Sequence, residues 1–88
     1  MKFTPHIASV NALLRVGDAL ALTGDSQSGF YQKVSGGLMT KPVKIGARAT
    51  AVPVREIEAI NAARIRGASE DEIKALVSRL HADRANAN

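Results

Sequence analysis

Residues Gly24 to Gly37 read GDSQSGFYQKVSGG. The stretch opens on a turn residue, runs through polar and aromatic side chains, and stops on two glycines. Lys33 is its single charged side chain between Asp25 and Gly37. Ser26 suits a helix N-cap, because its hydroxyl accepts from the free amides of the next turn. About two to three helical turns then fit before Gly36 and Gly37 end them. Phe30 and Val34, one turn apart, face the core, leaving Gln27, Ser28, Tyr31, Gln32 and Ser35 on the other faces. Gly29 inside this helix costs about 1 kcal/mol relative to alanine. It marks either a close approach of this backbone to a binding partner or a tolerated imperfection.

The flanking segments decide how this helix is presented. In RVGDALALTG (Arg15–Gly24), Val16, Ala19, Leu20 and Thr23 recur with helical period, and Gly24 closes the turn. Two short helices joined by a tight glycine-containing turn form a helix-turn-helix. In LMTKPVKIGARATAV (Leu38–Val52), Val43 and Ile45 alternate with Lys44, and Ala49 and Ala51 with Thr50 and Val52. That is the period of a strand pair. Gly46-Ala47 is placed to turn a two-residue hairpin, and Pro42 suits a strand edge. A basic hairpin after a helix-turn-helix is a wing.

PVREIEAINAARIRG (Pro53–Gly67) predicts a third helix. It starts at Pro53 or Val54, buries Ile57 and Ile60, carries Glu56 and Glu58 near its positive N-terminus, and ends at Gly67. Ser69 and Glu72 form a capping box for a fourth helix whose apolar stripe is Ile73, Leu76, Val77 and Leu80. The expected architecture is mainly α with a small β-hairpin. A flexible arm covers 1–13, a winged helix-turn-helix 14–67, a C-terminal helix 68–84 and a frayed tail 85–88.

Composition narrows the function classes. Eighty-eight residues allow one small domain with a modest core. The chain has no cysteine, which excludes a disulfide framework or cysteine–zinc site and fits a reducing cytoplasm. No apolar run reaches the ~18 residues of a membrane span, and the N-terminal residues make a poor signal peptide. The net charge of +4 is concentrated. Residues 26–55 hold Lys33, Lys41, Lys44, Arg48 and Arg55 with no acid, whereas the segments on either side are close to balanced. Such a block attracts polyanions.

From Leu14 to about Arg64 the chain resembles the AlpA-like, excisionase-type winged helix-turn-helix proteins, relatives of the MerR DNA-binding domain. The resemblance is carried by LLRVGDALALTG, Ser26, Ser28, Tyr31, Gly37, KPVKIG, Arg48 and REIEA, in matching spacing and over more than half of the chain. The sequence departs from the family pattern in four places. Asp25 follows the turn glycine, Met39-Thr40 precede Lys-Pro, and Val52 and Ile60 stand where tryptophans are common.

The resemblance implies a DNA-binding protein with no cofactor and no catalytic or metal-binding residue. The recognition helix offers Ser26, Gln27, Ser28, Tyr31, Gln32 and Lys33, and the wing offers Lys41, Lys44 and Arg48. Glutamine bonds adenine bidentately in the major groove, and lysine serves phosphates as a point charge. Tyr31 is alternatively a half-buried core aromatic, and Arg48 alternatively braces the hairpin. The implied role is an excisionase, or recombination directionality factor. Such a protein cooperatively coats and bends attachment-site DNA so that an integrase or other recombinase runs toward excision. The alternative is a transcription regulator of a prophage or mobile element. Absence of a sensor domain tips the expectation toward excisionase, acting in a bacterial cytoplasm on the nucleoid. The stripe Ile73, Leu76, Val77 and Leu80 either caps the chain's own core or joins protomers head to tail along DNA.

An enzyme reading lacks a nucleophile–base pair. His6 and His81 stand at opposite ends, Glu70, Asp71 and Glu72 suit a helix N-terminus, and GDSQSG lacks phosphate-loop spacing. A small protein-interaction module docking through the fourth helix is a third, more distant reading.

Overall fold

A computed structural model describes residues 11–86. The expected arm therefore lies outside the described residues up to Val10, as do Ala87 and Asn88 of the tail. The elements are β1 (Leu13–Arg15), α1 (Val16–Thr23), α2 (Gln27–Ser35), β2 (Val43–Gly46), β3 (Ala49–Pro53), α3 (Val54–Ile65) and α4 (Glu70–Asp83). A 3-10 turn, Arg84–Asn86, follows. The described chain is mainly helical, with four α-helices and a small three-stranded antiparallel sheet.

Local signals place the helices where the sequence predicts them. Gly24 closes α1 with φ 76° and donates its amide to the Leu20 carbonyl at 2.8 Å. A side chain there is strained in the left-handed region, so the turn into α2 depends on this glycine. The Ser26 hydroxyl accepts from the Gly29 amide at 3.1 Å. At the far end of α2, Gly37 (φ 79°) and Leu38 donate back to Val34 and Lys33, a Schellman closure that folds Leu38 onto the core. The capping box of α4 is complete, with Glu72 Oε1 accepting from the Ser69 amide at 2.7 Å and the Ser69 hydroxyl from the Glu72 amide at 3.2 Å.

The sheet differs from expectation in two ways. Its strand order is β1-β3-β2, so β3 is central and Leu13, expected in the arm, is the first residue of an edge strand. Leu14 pairs with Val52 and Arg15 with Ala51. The β2–β3 turn is Ala47-Arg48, one residue later than the expected Gly46-Ala47. A register shift between Lys44 and Gly46 makes Ile45 the extra residue of a bulge, which leaves it 48% exposed rather than alternating inward.

The core gathers Val16, Ala19, Phe30, Met39, Val52, Ile57, Ile60, Ala63, Ile73 and Val77. Val52 and Ile60 are fully buried. Ile73 and Val77 of α4 are buried, and Leu76 and Leu80 pack against the same core. The stripe thus packs on the chain's own core, with Leu76 and Leu80 partly exposed. The residues just before the expected tail are tied down. His81 and Asp83 remain in α4, and Arg84 bonds Glu56 and the Lys41 carbonyl. Arg64 Nη2 donates to the Leu38 carbonyl at 3.0 Å, and Asn61 Nδ2 to the Leu22 carbonyl at 3.0 Å, fastening the ends of α2 and α1 to α3.

Met39 and Thr40 are both buried, and the Thr40 hydroxyl has no hydrogen-bond partner among the described residues. A buried unsatisfied hydroxyl is destabilising, whereas a methyl of the same shape is not. Thr40→Val is therefore expected to raise the unfolding free energy by about 1 kcal/mol in urea denaturation. A loss of stability instead would mean that the hydroxyl is satisfied.

Candidate nucleic-acid interface

Helix α2 stands on α1 through the three-residue turn Gly24-Asp25-Ser26, and its outer face carries no large apolar side chain other than Tyr31, which is 39% exposed. Gln27 and Tyr31 lie one turn apart, on one face. They look across a cleft of about 450 Å³ at Arg48 and Thr50 of the hairpin. Arg15, Val16, Gly17 and Asp18 complete its lining. One hollow thus joins α2, the hairpin turn and the start of α1.

The cleft is cationic on two sides. Neither Arg15 nor Arg48 forms an ion pair among the described residues. Asp18 is the acid in the lining, at a helix N-terminus where a carboxylate is favoured. Arg15 occupies the N-cap position of α1, and its side chain makes no capping bond among the described residues. The first-turn amides therefore keep their donor capacity toward whatever enters. A Cβ at Gly17 would meet nothing within 4 Å, so the backbone there is openly accessible.

The sequence-predicted residues distribute unevenly around this hollow. Gln27, Tyr31 and Arg48 line it. Lys44 pairs with Thr50 across the strands, which puts it on the cleft side of the hairpin. Ser28 and Gln32 are exposed beside it on α2, outside the lining. Tyr31 also meets Phe30 edge-on, with ring centroids 5.5 Å apart at 85°, so its ring is braced while its hydroxyl has no partner among the described residues.

Three of the predicted residues are engaged elsewhere. The Ser26 hydroxyl is the N-cap of α2. Lys33 Nζ is 2.6 Å from Asp25 Oδ1, so its charge is matched within the chain. The ion pair also gives Asp25 its place after the turn glycine: its carboxylate is largely buried and its second oxygen, Oδ2, has no partner among the described residues. Lys41 stands at the opposite end of β2 from the turn, with its backbone held by His81 and Arg84.

Sequence reasoning missed Arg15, Thr50 and the open end of α1. A hint for the last was present: no Ser, Thr, Asp or Asn immediately precedes Val16, where a capped helix has one. Gly29 also acquires a local explanation. A Cβ there would sit 3.1 Å from the Ser26 hydroxyl, so the glycine makes room for the cap.

No group of three or more His, Cys, Asp and Glu residues able to hold a metal ion occurs among the described residues, and no described helix is long and apolar enough to cross a membrane. Compared with protein-family models, curated proteins and solved structures, the chain matches none.

Because Ser26 acts as a cap, Ser26→Ala is expected to lower stability by about 1 kcal/mol, and Ser26→Asp, which caps equally well, to retain it. Chemical denaturation of the three proteins checks this; an alanine variant as stable as the parent contradicts the assignment.

Proposed function

We propose that the chain is a sequence-specific double-stranded-DNA-binding protein of the MerR-like, excisionase-type winged helix-turn-helix kind. In this reading α2 is the recognition helix and the β2–β3 hairpin is the wing. The observation that carries it is the shared cleft: Gln27 and Tyr31 of α2 and Arg48 of the hairpin face one hollow, with Arg15 beside them.

The chemistry of such a surface divides by what each group recognises. Arg15, Arg48 and the open amides of α1 are donors suited to a backbone phosphate. Lys44 adds a mobile charge along the same face. Gln27, Ser28 and Gln32 present amide and hydroxyl groups without partners among the described residues, fit for base edges. Tyr31 stands between the two sets and suits the sugar–phosphate edge. Lys33, neutralised by Asp25, contributes little attraction.

The proposed role is a recombination directionality factor. Several protomers bind attachment-site DNA side by side and bend it so that an integrase acts toward excision. Bending a site of 20–30 base pairs costs of order 1–6 kcal/mol, which favours cooperative loading of small subunits. Ile73 and Val77 of α4 are buried in each protomer's own core, which leaves Leu76 and Leu80, partly buried against it, as the part of the stripe that could meet a neighbour.

Duplex affinity measured against salt tests the reading. Three to five phosphate contacts predict a log–log slope of about −3 to −4.5. Arg15→Ala and Arg48→Ala should each weaken binding to every sequence and flatten the slope by about 1. Gln27→Ala should change which sequence is preferred. A flat salt response, or no duplex binding at low salt, contradicts DNA binding altogether. Footprinting that finds phased direct repeats beside a recombinase gene supports the excision role; protection of a promoter alone assigns the protein to transcription.

A further inference from the structure

The C-terminal end of α4 and the residue after it meet the start of the hairpin. Arg84 Nη2 donates to the Lys41 carbonyl at 2.6 Å, and the Lys41 amide donates to His81 Nε2 at 3.0 Å. The same guanidinium grips Glu56 in the first turn of α3, Nε to Oε2 at 2.9 Å and Nη2 to Oε1 at 2.8 Å. Glu56 is fully buried, which makes its bidentate partner hard to remove and the position of Arg84 firm. Pro42 follows Lys41. It has no amide to donate, and it restricts Lys41 to extended backbone. Among the described residues β2 is an edge strand, bonded to β3 alone. Both backbone polar groups of Lys41, the last amide-bearing residue before β2, are therefore held from residues 81–84.

We propose that Arg84 and His81 are positioning residues for the hairpin: by clasping Lys41 they fix the start of β2, so that Lys44 and Arg48 meet a duplex together with α2. This inference rests on the DNA-binding reading and deepens it, because it makes duplex affinity depend on a segment remote from the cleft.

The chemistry of the clasp gives it a signature. Nε2 of a histidine accepts only while the ring is neutral, with the proton on Nδ1. The charged groups facing His81 are Arg84, Glu56 and Lys41. Burial, then the Arg84 charge, hold the His81 pKa below its ordinary 6.5; Lys41 adds to the lowering and Glu56 opposes it. Because the folded value lies below the unfolded one, the unfolded chain binds the extra proton first. The contribution is complete above the unfolded value. It is lost as pH falls from there through the lower folded value, where the clasp itself opens.

The test uses the full chain, a fluorescein-labelled mixed-sequence duplex at low salt, and hydrogen exchange at the Lys41 amide. Arg84→Ala should weaken duplex binding by about five- to tenfold. Arg79→Ala removes the same charge from an exposed position of α4 with no partner among the described residues, and should leave binding unchanged. His81→Ala should speed Lys41 exchange and weaken binding, whereas His81→Gln, whose side-chain oxygen accepts at the same place, should restore both. His81→Gln should also abolish the acid-side loss of Lys41 protection seen in the parent. If Arg84→Ala does not fold, the two His81 variants decide. Variants that open the Lys41 amide yet bind like the parent overturn the proposal, as does an equal loss from Arg79→Ala and Arg84→Ala. A parent protein that binds no duplex is a different result: it removes the DNA-binding reading itself, and the positioning role with it.

Discussion

Arg15 pairs with Ala51 across β1 and β3, and α1 begins at the very next residue. That short antiparallel pairing fixes the relation of everything on the cleft side. It holds the open N-terminus of α1 beside the strand that returns from the hairpin turn. Helix α2 then follows α1 after three residues, too few for it to move independently. Arg15, Gln27, Tyr31, Arg48 and Thr50 come together because one strand, β3, is bonded on both edges. A two-stranded hairpin alone is marginally stable in water, so the third strand also gives the hairpin a rigid base.

Electrostatics sort the basic residues into two groups. Lys33 and Arg84 have carboxylate partners, Asp25 and Glu56, and both of those carboxylates are largely or wholly buried. Their charges serve the fold. Arg15, Lys44 and Arg48 have no carboxylate partner among the described residues and stand on or beside the cleft. The central block of positive charge is therefore smaller in effect than its residue count implies, and it is better focused. Focused charge next to a low-dielectric wall raises the local potential more than the same charge dispersed.

The helices were legible in the sequence because their signals are local. Gly24, Gly37 and Gly67 end them, Ser26 and the Ser69–Glu72 box begin them, and the apolar spacing runs between. The sheet was only half legible. β1 is three residues long, too short to show alternation, and its partner lies far along the chain. Gly46 drew the turn one residue early because a bulge at Ile45 leaves the same glycine signal. The long-range polar links left least trace. Glu56 is an ordinary acid for a helix N-terminus and Arg84 an ordinary base in a polar tail; only folding shows that they meet. Of the site, Gln27, Tyr31 and Arg48 were readable from their place on a polar helix and a basic hairpin. Arg15 was not, because its role comes from β1. Ser26 and Lys33 also serve the fold, one as the cap that its residue type suggests and one in an ion pair that the sequence does not announce.

In the proposed reading α2, the hairpin turn and the start of α1 act as a single duplex-binding surface. Amide chemical-shift mapping during titration with a short duplex tests this most directly. Arg15, Gly17, Gln27, Tyr31, Arg48 and Thr50 are expected to shift together along one binding curve, while the solvent face of α4 stays still. Shifts confined to α4, or movement of α2 without the hairpin, would contradict it.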